Sequence, residues 1–156
     1  MQAVKACAEV VKAAVAAGKG TQAFQKLMSV LDTPLGDAAT DERIATGTLS
    51  SISKLAGSVD KSSVLALLER SKAFFNGDSL ESAAAASLAA GAHLREAIAM
   101  GTIAADAEPT AQLIASLDEM AKANSPAEAR SAACGLGVAV GALGAGAIVE
   151  HGVAQK

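Results

Sequence analysis

Few side chains in this sequence combine the type and the spacing that catalysis or metal binding requires. The two cysteines, Cys7 and Cys134, lie far apart, and neither belongs to a CxxC pair. With two histidines in the whole chain, the ligands for a structural zinc site are missing. Cys134 also has no base within helical reach, so the sequence predicts no thiol nucleophile.

The histidines and the adjacent carboxylates favour structural roles. His93 is flanked by alanine and leucine, and we expect a partly exposed helix residue without a catalytic role. His151 is expected to be solvated near the last residues. Adjacent carboxylates occur at Asp41-Glu42 and at Asp118-Glu119, where a helix makes them diverge into first-turn charges and solvated faces. We therefore predict no catalytic, cofactor-binding or metal-binding residue, and a protein that is not an enzyme.

A possible nucleotide site lies at 18–22, where the sequence GKGTQ resembles the end of the phosphate loop of adenylate kinases. Such a loop needs a glycine five residues before the Gly-Lys pair, where this chain has Ala13. It also needs a hydroxyl residue directly after the lysine, where Gly20 stands, and a buried strand before the loop. An amphipathic helix is predicted there instead. We interpret Gly18 as a helix stop and Thr21 as the cap of the next helix.

Composition favours an all-α fold of one domain spanning residues 1–156. Hydrophobic residues make up 51% of the chain, but aromatic residues only 2%, with three Phe and no Trp or Tyr. Alanine and glycine supply much of the apolar content, so the core must pack small side chains closely. Helices allow this, whereas sheets favour β-branched and aromatic residues. Three prolines in the whole chain fit the same conclusion.

Net charge and thiol usage bound the partners and the compartment. The formal net charge is −3, and no cluster of Lys and Arg forms a surface for phosphates, so we expect no nucleic-acid partner. Glu9 and several lysines interrupt the N-terminal apolar residues, which argues against a signal peptide. Two unpatterned cysteines suit a reducing environment. We therefore expect a cytoplasmic protein.

Apolar residues recur every three or four positions in seven segments, which predicts seven helices. Glycines 18, 57, 77 and 101 are expected to end helices, and Asp60 and Asp78 to cap the fourth and the fifth. The apolar stripe predicted for the fifth helix consists of Leu80, Ala84, Leu88, Gly91, Leu94 and Ile98. The predicted helices cover approximately 2–17, 21–33, 38–56, 61–76, 79–100, 109–123 and 126–149.

Three of these helices share one pattern of two large apolar residues, a small residue, any residue, leucine and an acid. It occurs at 27–32, 64–69 and 113–118, so the offsets are 37 and 49 residues. Helix-pair solenoids repeat at about 40 to 47 residues. We predict a right-handed stack of antiparallel helix pairs with units at about 21–57, 60–101 and 109–149, preceded by helix 2–17. The alternative is a chance likeness among Leu/Ala helices.

The segment QLIASLDEMAKANSPAEARSAACGLGVAVGAL, from Gln112 to Leu143, resembles the repeats of HEAT-type and proteasome/cyclosome-type α-solenoids. The likeness is weaker over Phe24–Leu55 and faint over Val64–Leu94, where Ala84 occupies the position of the repeat arginine. The resemblance implies a scaffold that presents surfaces to other proteins. Both terminal helices are apolar, which suggests an oligomer or a piece of a larger assembly.

Residues 132–149 form a run of eighteen uncharged residues with the small-residue spacing Gly137-x-x-x-Gly141. We interpret this run as a buried core helix of the stack. The alternative is a membrane-inserting or pore-forming helix, because the run is just long enough to cross a bilayer and its spacing is that of packed membrane helices.

Overall fold

A computed structural model describes residues 2–33, 37–75 and 79–122, and every regular element in these ranges is an α-helix. The prediction of an all-α fold is confirmed for this part of the chain. The first six predicted helices occur within a few residues of their expected places, and the seventh, at 126–149, lies outside the described residues. The helices are α1 (Gln2–Ala16), α2 (Gly20–Leu31), α3 (Ala38–Ser53), α4 (Lys61–Phe75), α5 (Leu80–Ala99) and α6 (Glu108–Lys122).

Three glycines end helices as expected. Gly18, Gly57 and Gly101 follow α1, α3 and α5, with φ of 69°, 84° and 72°. A side chain is disfavoured in this left-handed region, so glycine is the residue that can turn the chain away after a helix. No other described residue has a positive φ. The predicted helix ends at these three positions are confirmed.

Side-chain caps begin three of the helices. The backbone N–H of Thr40 donates to Asp37 at 3.0 Å at the start of α3, and that of Ser63 donates to Asp60 at 2.9 Å at the start of α4. The Asp60 cap was expected. At the start of α5 the cap is Ser79, not the expected Asp78, which lies outside the described residues.

The expected Thr21 cap of α2 is wrong. The helix begins one residue earlier, at Gly20, after Lys19, whose side chain makes no capping hydrogen bond. The Thr21 hydroxyl instead accepts a hydrogen bond of 3.3 Å from the backbone N–H of Asp60. The hydroxyl therefore links the start of α2 to the residue that caps α4.

Helix α5 is the central helix of the described fold, and it packs against both α3 and α4. Four of its five buried alanines, with Leu49, Val64 and Leu68 from the neighbouring helices, belong to the larger of two hydrophobic clusters. The smaller cluster joins the fifth, Ala89, to Phe24 and Val11 and to the end of α3. Small side chains let the backbones approach closely, as the composition predicted. The buried alanines of α5 are Ala83, Ala86, Ala89, Ala90 and Ala97.

The apolar stripe predicted for α5 is partly wrong. Leu88 is 41% exposed, whereas Ser87 and His93 are fully buried. Because α5 is covered from two directions, its buried surface is wider than one stripe and includes polar residues. Helical spacing alone cannot identify which side of such a helix stays open.

Hydrogen bonds between helices show which of them run in the same direction. The starts of α2 and α4 are joined by Thr21 and Asp60, and the end of α2 is joined to the second half of α4 by Arg70. Helices α2 and α4 therefore run in the same direction. Helices α3 and α5 do so too, because Glu42 bonds to Ser79 near both starts and the carbonyl of Ile52, at the end of α3, bonds to His93 in the second half of α5.

Candidate binding groove

An open groove of about 890 Å³ lies where the end of α2, the start of α3, the end of α4 and the start of α5 meet. We call it the α2–α5 groove. Apolar and charged side chains line it together, and both α3 and α4 supply side chains of each kind. The apolar members include Leu31, Ile44, Ala45, Ala73 and Phe74, and the charged members are Asp32, Asp41, Glu42, Arg70 and Glu81.

Arg70, on α4, connects this helix to the end of α2 beside the groove. Its Nε donates to Oδ1 of Asp32 at 2.9 Å, and its second guanidinium nitrogen donates to the carbonyl of Leu31 at 3.2 Å. The guanidinium carbon lies 4.9 Å from the centre of the Phe74 ring, within cation–π distance. The Asp32 side chain is 63% exposed, so the ion pair itself is weak. The carbonyl bond and the ring contact do more to position Arg70.

Ser79 connects the start of α5 to α3 beside the groove. Its hydroxyl donates to Oε1 of Glu42 at 2.7 Å and accepts from the backbone N–H of Ser82 at 3.1 Å. One helical turn further along both helices, the hydroxyl oxygens of Thr46 and Ser82 lie 3.2 Å apart. A serine beside a carboxylate could suggest an activated nucleophile. Here the hydroxyl caps a helix and joins it to α3, and no histidine among residues 2–33, 37–75 and 79–122 lines the groove.

The charges of the groove are mostly negative. Of the residues that the structure describes, four carboxylates line it, against the single guanidinium of Arg70. Asp41 and Glu81 stand in the first turns of α3 and α5, where the helix dipole favours negative charge. In the part of the chain that the structure describes, no group of three His, Cys, Asp or Glu residues is arranged to hold a metal ion. The described lining of the groove is therefore predominantly acidic.

His93 lies away from the groove, and its expected partial exposure is wrong. The ring is fully buried; its Nε2 lies 2.7 Å from the carbonyl oxygen of Ile52, and its centre 5.7 Å from that of Phe24. Since a carbonyl only accepts, Nε2 carries the proton. Nδ1 has no hydrogen-bond partner in the structure. Burial lowers the pKa of His93 below its ordinary value of 6.5.

In the segment 18–22, Gly18 ends α1, as interpreted, and residues 20–22 already belong to the first turn of α2. The backbone of Gly20 lies directly against Ser58, so that a Cβ at Gly20 would collide with the Ser58 carbonyl oxygen and lie 2.8 Å from its Cβ. This contact leaves no space for a phosphate group at Gly20. A helix, not a strand, precedes the segment.

The other residues singled out from the sequence fall in different places. Asp41 and Glu42 line the groove, a role that their adjacent carboxylates did not reveal, because the opposing residues lie about forty positions further along the chain. Cys134 and His151 lie outside the described residues, as does the run at 132–149. Within residues 2–33, 37–75 and 79–122, no helix is long and apolar enough to span a membrane.

No protein-family model, no curated protein and no solved structure matches this chain. Any function must therefore be argued from the geometry of the helices and the groove.

Proposed function

We propose that this protein is a non-enzymatic protein–protein interaction scaffold, built as a right-handed stack of antiparallel helix pairs. The supporting observation is that α2 packs against α4, and α3 against α5, with the two helices of each contact running in the same direction. An up-and-down bundle places consecutive helices side by side in alternating directions. In a stack of helix pairs, each helix instead also packs against the equivalent helix of the next pair, which runs in the same direction.

The spacing of the contacts between pairs adds support. The hydrogen bonds that join the pair α2–α3 to the pair α4–α5 connect residues 36 to 41 positions apart. A nearly constant separation is what translation of one unit onto the next produces. It is close to the offset of 37 residues between the first two copies of the sequence pattern. The bond from Lys72 to Gln112, which joins α4 to α6, spans 40 residues.

We propose a third pair made of α6 and the predicted helix at 126–149. In such a stack, the second helix of the third pair would pack over α5, as α5 packs over α3. The described part of α5 has a suitable surface, because Leu88 is 41% exposed and Ala84 and Ala85 are half-buried. Burying this surface would give the uncharged run at 132–149 an apolar neighbour.

A scaffold fits the surfaces better than an enzyme does. Polar side chains of the groove join neighbouring helices, and apolar and charged side chains line it together, as they do in protein interfaces. Val10 and Val15 on α1 are 65% and 39% exposed. Such apolar residues on a terminal helix support an oligomer or a place in a larger assembly. We also propose a cytoplasmic location, from the two unpatterned cysteines.

A competition pull-down tests the scaffold proposal. The tagged full-length chain is incubated with native lysate, with and without excess untagged chain, and the retained proteins are quantified by mass spectrometry. We expect one or a few proteins to be retained in near-stoichiometric amounts and to be displaced by the untagged chain. Retention of nothing that the untagged chain displaces would count against a scaffold. Light scattering of the purified chain tests the oligomer separately, and a stable monomer at all concentrations would contradict it.

A further inference from the structure

We propose that the α2–α5 groove binds a segment of a partner protein that inserts a lysine or arginine side chain between its carboxylates and lays an apolar side chain on its floor. The inference rests on the proposed scaffold function and adds the chemistry of the partner. It also selects one surface of the stack as the place where this partner docks.

Charge complementarity identifies the basic part of the partner. Among the described lining residues Arg70 is the cation, and it donates hydrogen bonds to Asp32 and to the carbonyl of Leu31. Asp41, Glu42 and Glu81 line the groove from α3 and α5, so its described lining carries more negative than positive charge. Charged partners meet surfaces of opposite sign, which raises the rate of association and excludes anionic competitors.

The apolar floor of the groove indicates the apolar part of the partner. We define this floor as Ile44 and Ala45 on α3 and Phe74 on α4. These residues are half-buried, and Arg70 covers one face of the Phe74 ring. A volume of about 890 Å³ is far larger than a metal ion or one side chain requires. It accommodates several consecutive residues of a peptide. A basic segment with apolar residues uses both the charge and the floor, whereas a small cation uses only the charge.

Synthetic peptides of equal length test the proposal on the full chain. One alternates leucine and lysine, one leucine and glutamine, and one leucine and glutamate, each with a fluorescent label, and spermine serves as a cation without an apolar part. Binding is measured by fluorescence anisotropy at low and at high salt. We expect the leucine–lysine peptide to bind most tightly and to weaken with salt, and the leucine–glutamate peptide not to bind.

Two groove variants and two matched controls locate the binding site. Ala73→Trp fills the groove from an exposed position on α4, and Ala66→Trp makes the same change two turns earlier on the same face, outside the lining. Glu81→Lys reverses a groove charge, and Glu119→Lys makes the same reversal on α6. We expect each groove variant to weaken binding of the leucine–lysine peptide by at least about fivefold, and each control by less than about twofold. Circular dichroism confirms that each variant is folded.

The outcomes separate this inference from the scaffold proposal. If the basic peptide binds wild-type protein and all variants equally, or if no peptide binds, the groove proposal is overturned. Equal affinity for spermine and for the leucine–lysine peptide would overturn it as well, because the floor would then contribute nothing. In the competition pull-down, a partner that the Ala73→Trp variant retains as well as wild type does would overturn the groove proposal and leave the scaffold proposal intact. If wild type retains no protein that the untagged chain displaces, the scaffold proposal itself fails.

Discussion

At the scale of single residues, His93 is a buried polar side chain that joins two helices. Its Nε2–H donates to the carbonyl of Ile52 in the last turn of α3, which also accepts from the backbone N–H of Leu55 at 3.0 Å. The ring is fully buried against Phe24. One histidine therefore joins α5 to the end of α3, and its burial favours the neutral form.

The neutral state of His93 predicts a pH-dependent stability. Burial lowers its pKa in the folded state, so below about pH 6.5 the unfolded chain binds more protons than the folded one. The contribution to stability is complete above that pH and is lost as the pH falls. We expect the unfolding free energy to decrease by up to ~1.4 kcal/mol per pH unit from this group. Urea unfolding from pH 7.5 to 5 measures it.

His93→Gln is the control for that titration. The glutamine amide can still donate to the Ile52 carbonyl but does not titrate. It should be less stable than wild type at pH 7.5, by about 1 to 3 kcal/mol, because it packs the site poorly. The difference should narrow as the pH falls. A constant difference across the range would show that His93 is not the titrating group.

Two glycines in helices should respond in opposite ways to alanine. At Gly20 an added Cβ meets the backbone of Ser58, whereas at Gly47, within α3, it meets nothing within 4 Å. Gly20→Ala should lower the unfolding free energy by about 1 to 3 kcal/mol through overpacking. Gly47→Ala should raise it by about 0.5 to 1 kcal/mol, because alanine is the better helix former. Thermal unfolding of both variants measures these changes in stability. If the two substitutions changed the unfolding free energy equally, the close contact between Gly20 and Ser58 would be contradicted.

At the scale of elements, the start of α5 is held by one side chain with two roles. Ser79 caps α5 through the N–H of Ser82 and donates to Glu42 on α3. The cap satisfies a backbone donor that the helix cannot satisfy itself, and the second bond fixes where α5 begins relative to α3. Local and tertiary structure are thus joined at the edge of the groove.

Ser79→Ala should therefore cost more than an ordinary serine substitution. We expect a loss of about 1 to 2 kcal/mol in unfolding free energy, from the cap and the bond to Glu42 together. Ser29→Ala is the matched control, because the Ser29 hydroxyl is exposed and bonds only within its own helix, to the carbonyl of Lys26. It should change stability by less than about 0.5 kcal/mol. Similar losses in both variants would contradict the double role of Ser79.

At the scale of the whole molecule, burial is uneven along the chain. Helix α5 packs against α3 and α4 and contributes five buried alanines, whereas α1 packs on α2 and α3 and leaves Val10 largely exposed. In a stack of helix pairs each unit is stabilised by its neighbours, so an outer helix is held by fewer contacts than an inner one.

Hydrogen exchange should follow this order. We expect the backbone amides of α5 to exchange most slowly and those of α1 to exchange at least about tenfold faster after correction for intrinsic rates, because α1 can open without disturbing α5. Mass spectrometry of exchanged peptides measures the rates, with the urea-unfolded chain as the reference. Equal protection of α1 and α5 would mean that the described helices unfold as one unit.

The sequence by itself determined the class of fold and the places of six helices. These features are local: a glycine at a left-handed position, such as Gly57, ends a helix wherever it packs, and a capping aspartate, such as Asp60, begins one. The small residues of α5 also indicated close packing in advance.

Only the tertiary structure decided which faces are buried and which residues meet. His93 is buried and Leu88 exposed because α5 is covered by two helices at once, a property of its neighbours and not of its own spacing. The groove likewise brings Asp41 and Glu42 together with Arg70 and Glu81, from three helices. Such contacts depend on the direction and offset of whole helices, which the packing of their side chains sets and which no local pattern encodes.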